Sequence, residues 1–128
     1  GARIVTRFEV NSFYFSHEHL YGFLYNLITN AIKYRHPDRQ PEIRVRTFRE
    51  DNFVGISVGD NGLGINLEKD REKLFGMFKR IHDHTEGSGV GLHLIKAIIE
   101  KAGGSIDVES KLDKGSTFTI LLPDEKTV

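Results

Sequence analysis

The chain has no cysteine in its 128 residues, which excludes disulfides and zinc–thiolate sites and fits a reducing compartment. It also has no net charge, because 18 Lys and Arg balance 18 Asp and Glu. Nothing global therefore draws it to nucleic acid or to an anionic membrane. No apolar run approaches the ~20 residues of a membrane-spanning helix, and no segment reads as a signal peptide. Internal repeats, low-complexity tracts and linkers are missing too. What is present is ordinary for a globular protein, with 38% hydrophobic and 28% charged residues. The expectation is a single cytoplasmic domain over residues 1–128, a piece of a larger protein, able to bury about two-thirds of its surface.

Hydrophobic periodicity predicts the elements. Ile4 to Val10 reads as a strand, which Phe13 to Phe15 would extend or repeat. Ser16 is placed to cap a helix whose apolar face is Leu20, Phe23, Leu24, Leu27, Ile28 and Ala31, and His36-Pro37-Asp38 is expected to end it. Glu42–Phe48 and Phe53–Val58 read as a hairpin. Asn66 to Glu86 reads as a long, partly structured connection, either a surface helix or a lid. After Gly91 comes a helix expected to bury Leu92, Leu94, Ile95, Ile98, Ile99 and Ala102, with His93, Lys96 and Glu100 as its polar edge. Gly103-Gly104 stops it. Ser105–Glu109 and Thr117–Leu122 complete the strands.

Three stretches carry chemistry. Gly87–Leu92 (GSGVGL) is a glycine-rich turn opening into a helix, either a flexible turn or a cradle of N–H groups for phosphate. On the first long helix, Asn26, Asn30 and Lys33 form a polar stripe roughly 125° from the apolar face. Asparagine is a poor helix former, so the stripe is either a solvated face or a row of oxygens and a cation for a bound ion and phosphates. Asp60 leaves an apolar strand into a turn holding Gly62 and Gly64. It is either a loop carboxylate or the acceptor for a base's exocyclic amine.

Taken together, the segments NLITNAIKY (Asn26–Tyr34), DNGLGI (Asp60–Ile65), LFGMFKRIH (Leu74–His82), GSGVGLHLIKAIIEKAGGSIDVES (Gly87–Ser110) and GSTFTILLP (Gly115–Pro123) resemble, in order and spacing, the boxes of a known family. It is the ATP-binding catalytic domain of sensor histidine kinases, within the gyrase, chaperone and mismatch-repair ATPase superfamily. The resemblance covers nearly the whole chain. It implies an α/β sandwich of the Bergerat type, a mixed and mostly antiparallel sheet with helices on one face, and it implies ATP and Mg²⁺ as ligands. Asn30 would hold Mg²⁺ with Asn26 beside it, Lys33 would meet the phosphates and Tyr34 would pack on adenine. Asp60 would take the adenine amine in a pocket shaped by Gly62, Gly64 and Ile65. Phe75 and Phe78 would anchor the lid, and Arg80 would contact the γ-phosphate. Gly87, Ser88, Gly89, Val90, Gly91 and Leu92 would wrap the triphosphate, and Thr117 would back the adenine pocket. Asn26, Lys33 and Arg80 would be the catalytic set.

Gyrase-type relatives carry a glutamate general base where this chain has Asn26, which takes no proton at neutral pH. The resemblance therefore implies a phosphoryl donor rather than a rapid hydrolase. The acceptor would be a histidine on dimerisation helices that this chain lacks, with a response regulator downstream. The family's usual N-terminal helix ahead of the first strand is not seen either. His17, in Ser16-His17-Glu18-His19, lacks a long helix of its own and is a poor acceptor candidate, and His17 and His19 form no evident metal pair. The alternatives are an anti-sigma-type serine kinase and a nucleotide-binding module without transfer activity.

Overall fold

The computed structural model describes residues 1–75 and 91–124. In chain order the elements are β1 (Arg3–Phe8), α1 (His17–Lys33), β2 (Glu42–Glu50), β3 (Phe53–Asp60), α2 (Leu67–Leu74), α3 (Gly91–Lys101), β4 (Ser105–Lys111) and β5 (Gly115–Pro123). The strands form one sheet in the order β1-β2-β3-β5-β4. β1 runs parallel to β2, and the other neighbours are antiparallel. The expected α/β architecture with a mixed, mostly antiparallel sheet is borne out.

Strand alternation decides where the core lies. Register aligns Val45 with Val58, Val58 with Phe118, Ile56 with Ile120 and Val108 with Phe118. These side chains share one face and meet Phe23, Leu27 and Ala31 of α1 and Ile95 and Ile99 of α3 in a single cluster. Ile43, Ile99, Ile120 and Leu122 are completely buried, and each such side chain stabilises the fold by about 1.5–3 kcal/mol. The β2–β3 hairpin turns through Asp51, whose positive φ of 53° suits the tight turns that match strand twist.

The predicted apolar face of α1 is the one that packs: Phe23, Leu27 and Ala31 are buried, and Leu20, Leu24 and Ile28 lie against the cluster. Ser16 caps the helix by accepting from the His19 amide, which satisfies an N–H left unpaired by the first turn.

Four expectations are corrected. β1 stops at Phe8, because the Thr47 hydroxyl then takes over from the backbone ladder, accepting from Val10 N at 3.1 Å and donating to Val10 O at 2.7 Å. Phe13–Phe15 is not a strand; Phe13 and Phe15 pack on the core instead. α1 ends at Lys33, ahead of the His36-Pro37-Asp38 stop, where the Tyr34 carbonyl is captured by Leu63 N at 2.9 Å. In α3, Leu94 is 50% exposed and Ala102 is exposed. The buried stripe runs through Ile95 and Ile99, and Leu94 lies roughly 100° round the helix from Ile95. The connection after Ile65 begins with α2, capped by the Asn66 side chain on Lys69 N.

Candidate functional site

Strand β3 delivers Asp60 to the helix-covered face of the sheet, in line with Val58 and Ile56. The chain then turns back at once, and the carboxylate is held by that turn. Its Oδ1 accepts from Gly62 N at 2.9 Å and from Ser116 N at 3.2 Å. Its Oδ2 accepts no hydrogen bond among the described residues. Burial raises the Asp60 carboxyl above the ordinary carboxylate value, and the two backbone hydrogen bonds work against that rise. One oxygen is thus fixed and the other is available to a donor.

The glycines around Asp60 are pressed close to backbone. A Cβ on Gly62 would stand 2.6 Å from the Tyr34 carbonyl oxygen. On Gly64, where φ is +72°, it would stand 2.0 Å from the Lys111 carbonyl oxygen. The turn is pressed onto the end of α1 on one side and onto the β4–β5 connection on the other, an approach that only glycine allows. Leu63 N bonds Tyr34 O, and Leu63 O accepts from Asp113 N at 2.7 Å. Ile65 N donates to Ser110 Oγ, which meets Ser116 Oγ at 2.7 Å. These approaches call for glycine at both positions whether or not a ligand lies beside the turn.

The stripe on α1 is present as predicted. Asn30 Nδ2 donates to Asn26 Oδ1 at 3.0 Å, which sets the amide orientation and leaves Asn30 Oδ1 without a hydrogen bond among the described residues. Lys33 is exposed and forms no ion pair among them. Tyr34, one residue on, joins this end of α1 to the Asp60 turn through its carbonyl. A carbonyl-type oxygen with no hydrogen bond among the described residues, one turn from a cation, suits a hard ion such as Mg²⁺ with its phosphates, so these residues fit the group that the family implies. Among the described residues no cluster of His, Asp and Glu could hold a metal by itself. Any ion here would share its coordination with phosphate and water.

With that geometry in place, the family model for histidine kinase-, DNA gyrase B- and HSP90-like ATPases matches residues 16–126. The chain belongs to this ATPase family. It is 38% identical over 109 residues to the sensor protein RprX of Bacteroides fragilis, with 82% of this chain and 21% of that protein covered. It is 41% identical over 100 residues to the methanogenesis regulatory histidine kinase FilI of Methanothrix harundinacea, covering 78% of this chain and 11% of that protein. The chain thus spans about a fifth or less of these relatives. In fold it is similar to full-length ShkA solved in complex with AMPPNP, with a TM-score of 0.82 at 23% identity over 96% of this chain and 26% of that one. It is a catalytic domain of the sensor histidine kinase type.

In this ATPase domain the remaining predicted site residues fall in four groups. Ile65 is 8% exposed and belongs to the core, against which Leu92 also packs, while Gly91 opens α3. Phe75 follows α2 and is gripped from α3. Its carbonyl accepts from His93 Nδ1 at 3.2 Å, and Lys96 Nζ stands 5.2 Å from its ring centre. Phe78, Arg80, Gly87, Ser88, Gly89 and Val90 lie outside the described residues. Thr117 pairs with Gly59 and shares one depression with Asp60. By strand alternation its side chain leaves the sheet on the face opposite Phe118, in this shallow depression that Glu42, Arg44 and Asn61 also line. Ser116 holds the inner position instead, 7% exposed. The alternation Ser116, Phe118, Ile120, Leu122 contains that information, because every second residue of a strand shares a face. Neither Ser116 nor Arg39, whose guanidinium reaches the Asp60 turn, stands out by residue type alone.

Proposed function

We propose that this domain binds Mg·ATP and donates the γ-phosphoryl group to a histidine on dimerisation helices elsewhere in a two-component sensor kinase. The observation that carries the reading is Asp60. Its half-buried carboxylate has Oδ1 occupied by two backbone N–H groups and Oδ2 without a donor among the described residues, an acceptor suited to the exocyclic amine of adenine. Asn30 and Lys33 would hold Mg²⁺ and the phosphates, with Asn26 positioning the Asn30 amide. Bound Mg²⁺ would supply neutralisation of phosphate charge. Arg80 and the Gly87–Leu92 turn are assigned to the triphosphate on the family resemblance. Catalysis on this reading is positioning and charge stabilisation, with little covalent chemistry from the protein.

Asn26 supports a donor over a hydrolase, since an amide cannot take a proton from water at neutral pH. The curated relatives, named as sensor and histidine kinases, favour histidine over serine as the acceptor. The partner helices, a response regulator and a cytoplasmic setting belong to the same proposal. Among the described residues no helix is long and apolar enough to cross a membrane.

The deciding experiment is calorimetric titration of this chain with a non-hydrolysable ATP analogue, with and without Mg²⁺. Binding in the micromolar to sub-millimolar range, selective for adenine and strengthened by Mg²⁺, is expected, as is its impairment by Asn30→Asp. No binding at millimolar nucleotide would sink the proposal.

A further inference from the structure

The turn that presents Asp60 is tied to a third segment of chain that belongs to none of the family boxes. Between α1 and β2 the chain runs through Pro37, Asp38, Arg39 and Gln40, and Arg39 turns its side chain toward the turn. Its Nε donates to the Asn61 carbonyl at 2.7 Å, its Nη2 donates to the Gly62 carbonyl at 3.2 Å, and Nη2 also donates to the Asp113 carbonyl. One planar guanidinium thus spans the Asp60 turn and the β4–β5 connection with donors in fixed relative directions. Asn61 reinforces the join, accepting from Glu42 N and donating to the Gln40 carbonyl.

The consequence reaches the carboxylate through a short chain of contacts. The Gly62 N–H is the closer of the two donors on Asp60 Oδ1, and the peptide units flanking Gly62 end in the two carbonyls that Arg39 holds. A shift of those carbonyls would swing the Gly62 N–H away from Oδ1 and free the carboxylate to rotate about χ2. The open Oδ2 would then lose its fixed direction.

We propose that Arg39 is a positioning residue for base selection: by clamping the Asn61 and Gly62 carbonyls against the β4–β5 connection, it fixes the direction in which Asp60 offers its free oxygen. The inference deepens the nucleotide reading and rests on it. A hydrogen-bond acceptor held in one direction distinguishes the 6-amino group of adenine from the 6-oxo group of guanine. A rotating one distinguishes them less.

The test compares ADP with GDP, by competition, on the wild-type chain, Arg39→Ala and Arg39→Lys, with thermal melting to confirm folding. In Arg39→Ala the ADP affinity is expected to fall at least fivefold while GDP affinity moves less than twofold, so that base preference collapses. Lysine keeps the charge but cannot span three carbonyls, and should restore the preference only in part. A parallel loss for ADP and GDP would mean that Arg39 merely braces the fold, and unchanged affinities would mean that it does nothing here; either overturns the proposal. Should Arg39→Ala fail to fold, Arg39→Lys decides by the same criteria, a selective loss supporting the proposal and a parallel or absent loss overturning it. A wild-type chain without adenine preference would instead defeat the nucleotide reading itself, and that result needs no variant.

Discussion

The two ends of the proposed nucleotide site are held in different ways. At the adenine end, Asp60 is fixed by backbone N–H groups, and the turn behind it is bonded to α1, to the α1–β2 connection and to the β4–β5 connection. At the phosphate end, Asn26, Asn30 and Lys33 stand on a single helix face, Asn26 and Asn30 part-buried and Lys33 exposed, and one amide–amide hydrogen bond is their side-chain link among the described residues. Backbone contacts among several loops cannot relax without moving the fold, whereas side chains on a helix surface are free to meet whatever arrives. On the proposed reading the adenine end is preorganised, and the phosphate end would be completed by an ion and phosphates.

The contrast can be broken hardest at Gly64. Gly64→Ala forces a Cβ onto the Lys111 carbonyl at a positive φ, with an expected loss on the order of 3 kcal/mol of stability. Urea denaturation would read the loss, and adenine binding should go with it. A midpoint equal to wild type would show that the turn yields easily and is not preorganised.

Asp60→Asn separates function from stability at the same place. The new amide oxygen can still accept from Gly62 N and Ser116 N, but its NH₂ now faces the ligand's amine. ADP affinity should fall more than tenfold while the melting temperature holds or rises. The pH dependence follows from the raised Asp60 pKa. The folded state holds this proton more tightly than the unfolded chain, so the stability that protonation contributes is fully present below the ordinary carboxylate pKa. It is lost as pH rises through the raised folded value. Asp60→Asn should lack that slope in melts taken across this window.

At the phosphate end effects should be milder and ligand-specific. Lys33→Ala is expected to weaken ATP severalfold and adenosine hardly at all, with a wild-type advantage that shrinks in high salt because Lys33 is exposed. Equal losses for ATP and adenosine would erase the distinction between the two ends. The smallest change expected is Leu94→Ala, within about 0.5 kcal/mol because the side chain is half exposed. A larger loss would return Leu94 to the core face.

Local chemistry by itself determined much of this protein. Alternation and helical periodicity located the five strands of the sheet, the core face of α1 and the Ile95–Ile99 stripe of α3, since burial on one side imposes a period of 2 or 3.6 on the chain. The pairing of Asn26 with Asn30 follows from their spacing of one turn. What only the tertiary structure decided depends on residues distant in sequence. The end of α1 is set by Leu63, the end of β1 by Thr47, and the parity that puts Ser116 rather than Thr117 on the inner face with Asp60 is set by register with β3. Gly62 and Gly64 are required by the carbonyls of Tyr34 and Lys111, and Arg39 matters through carbonyls that any sequence would supply. Backbone groups are the same at every position, so no pattern of side chains can announce which of them will meet.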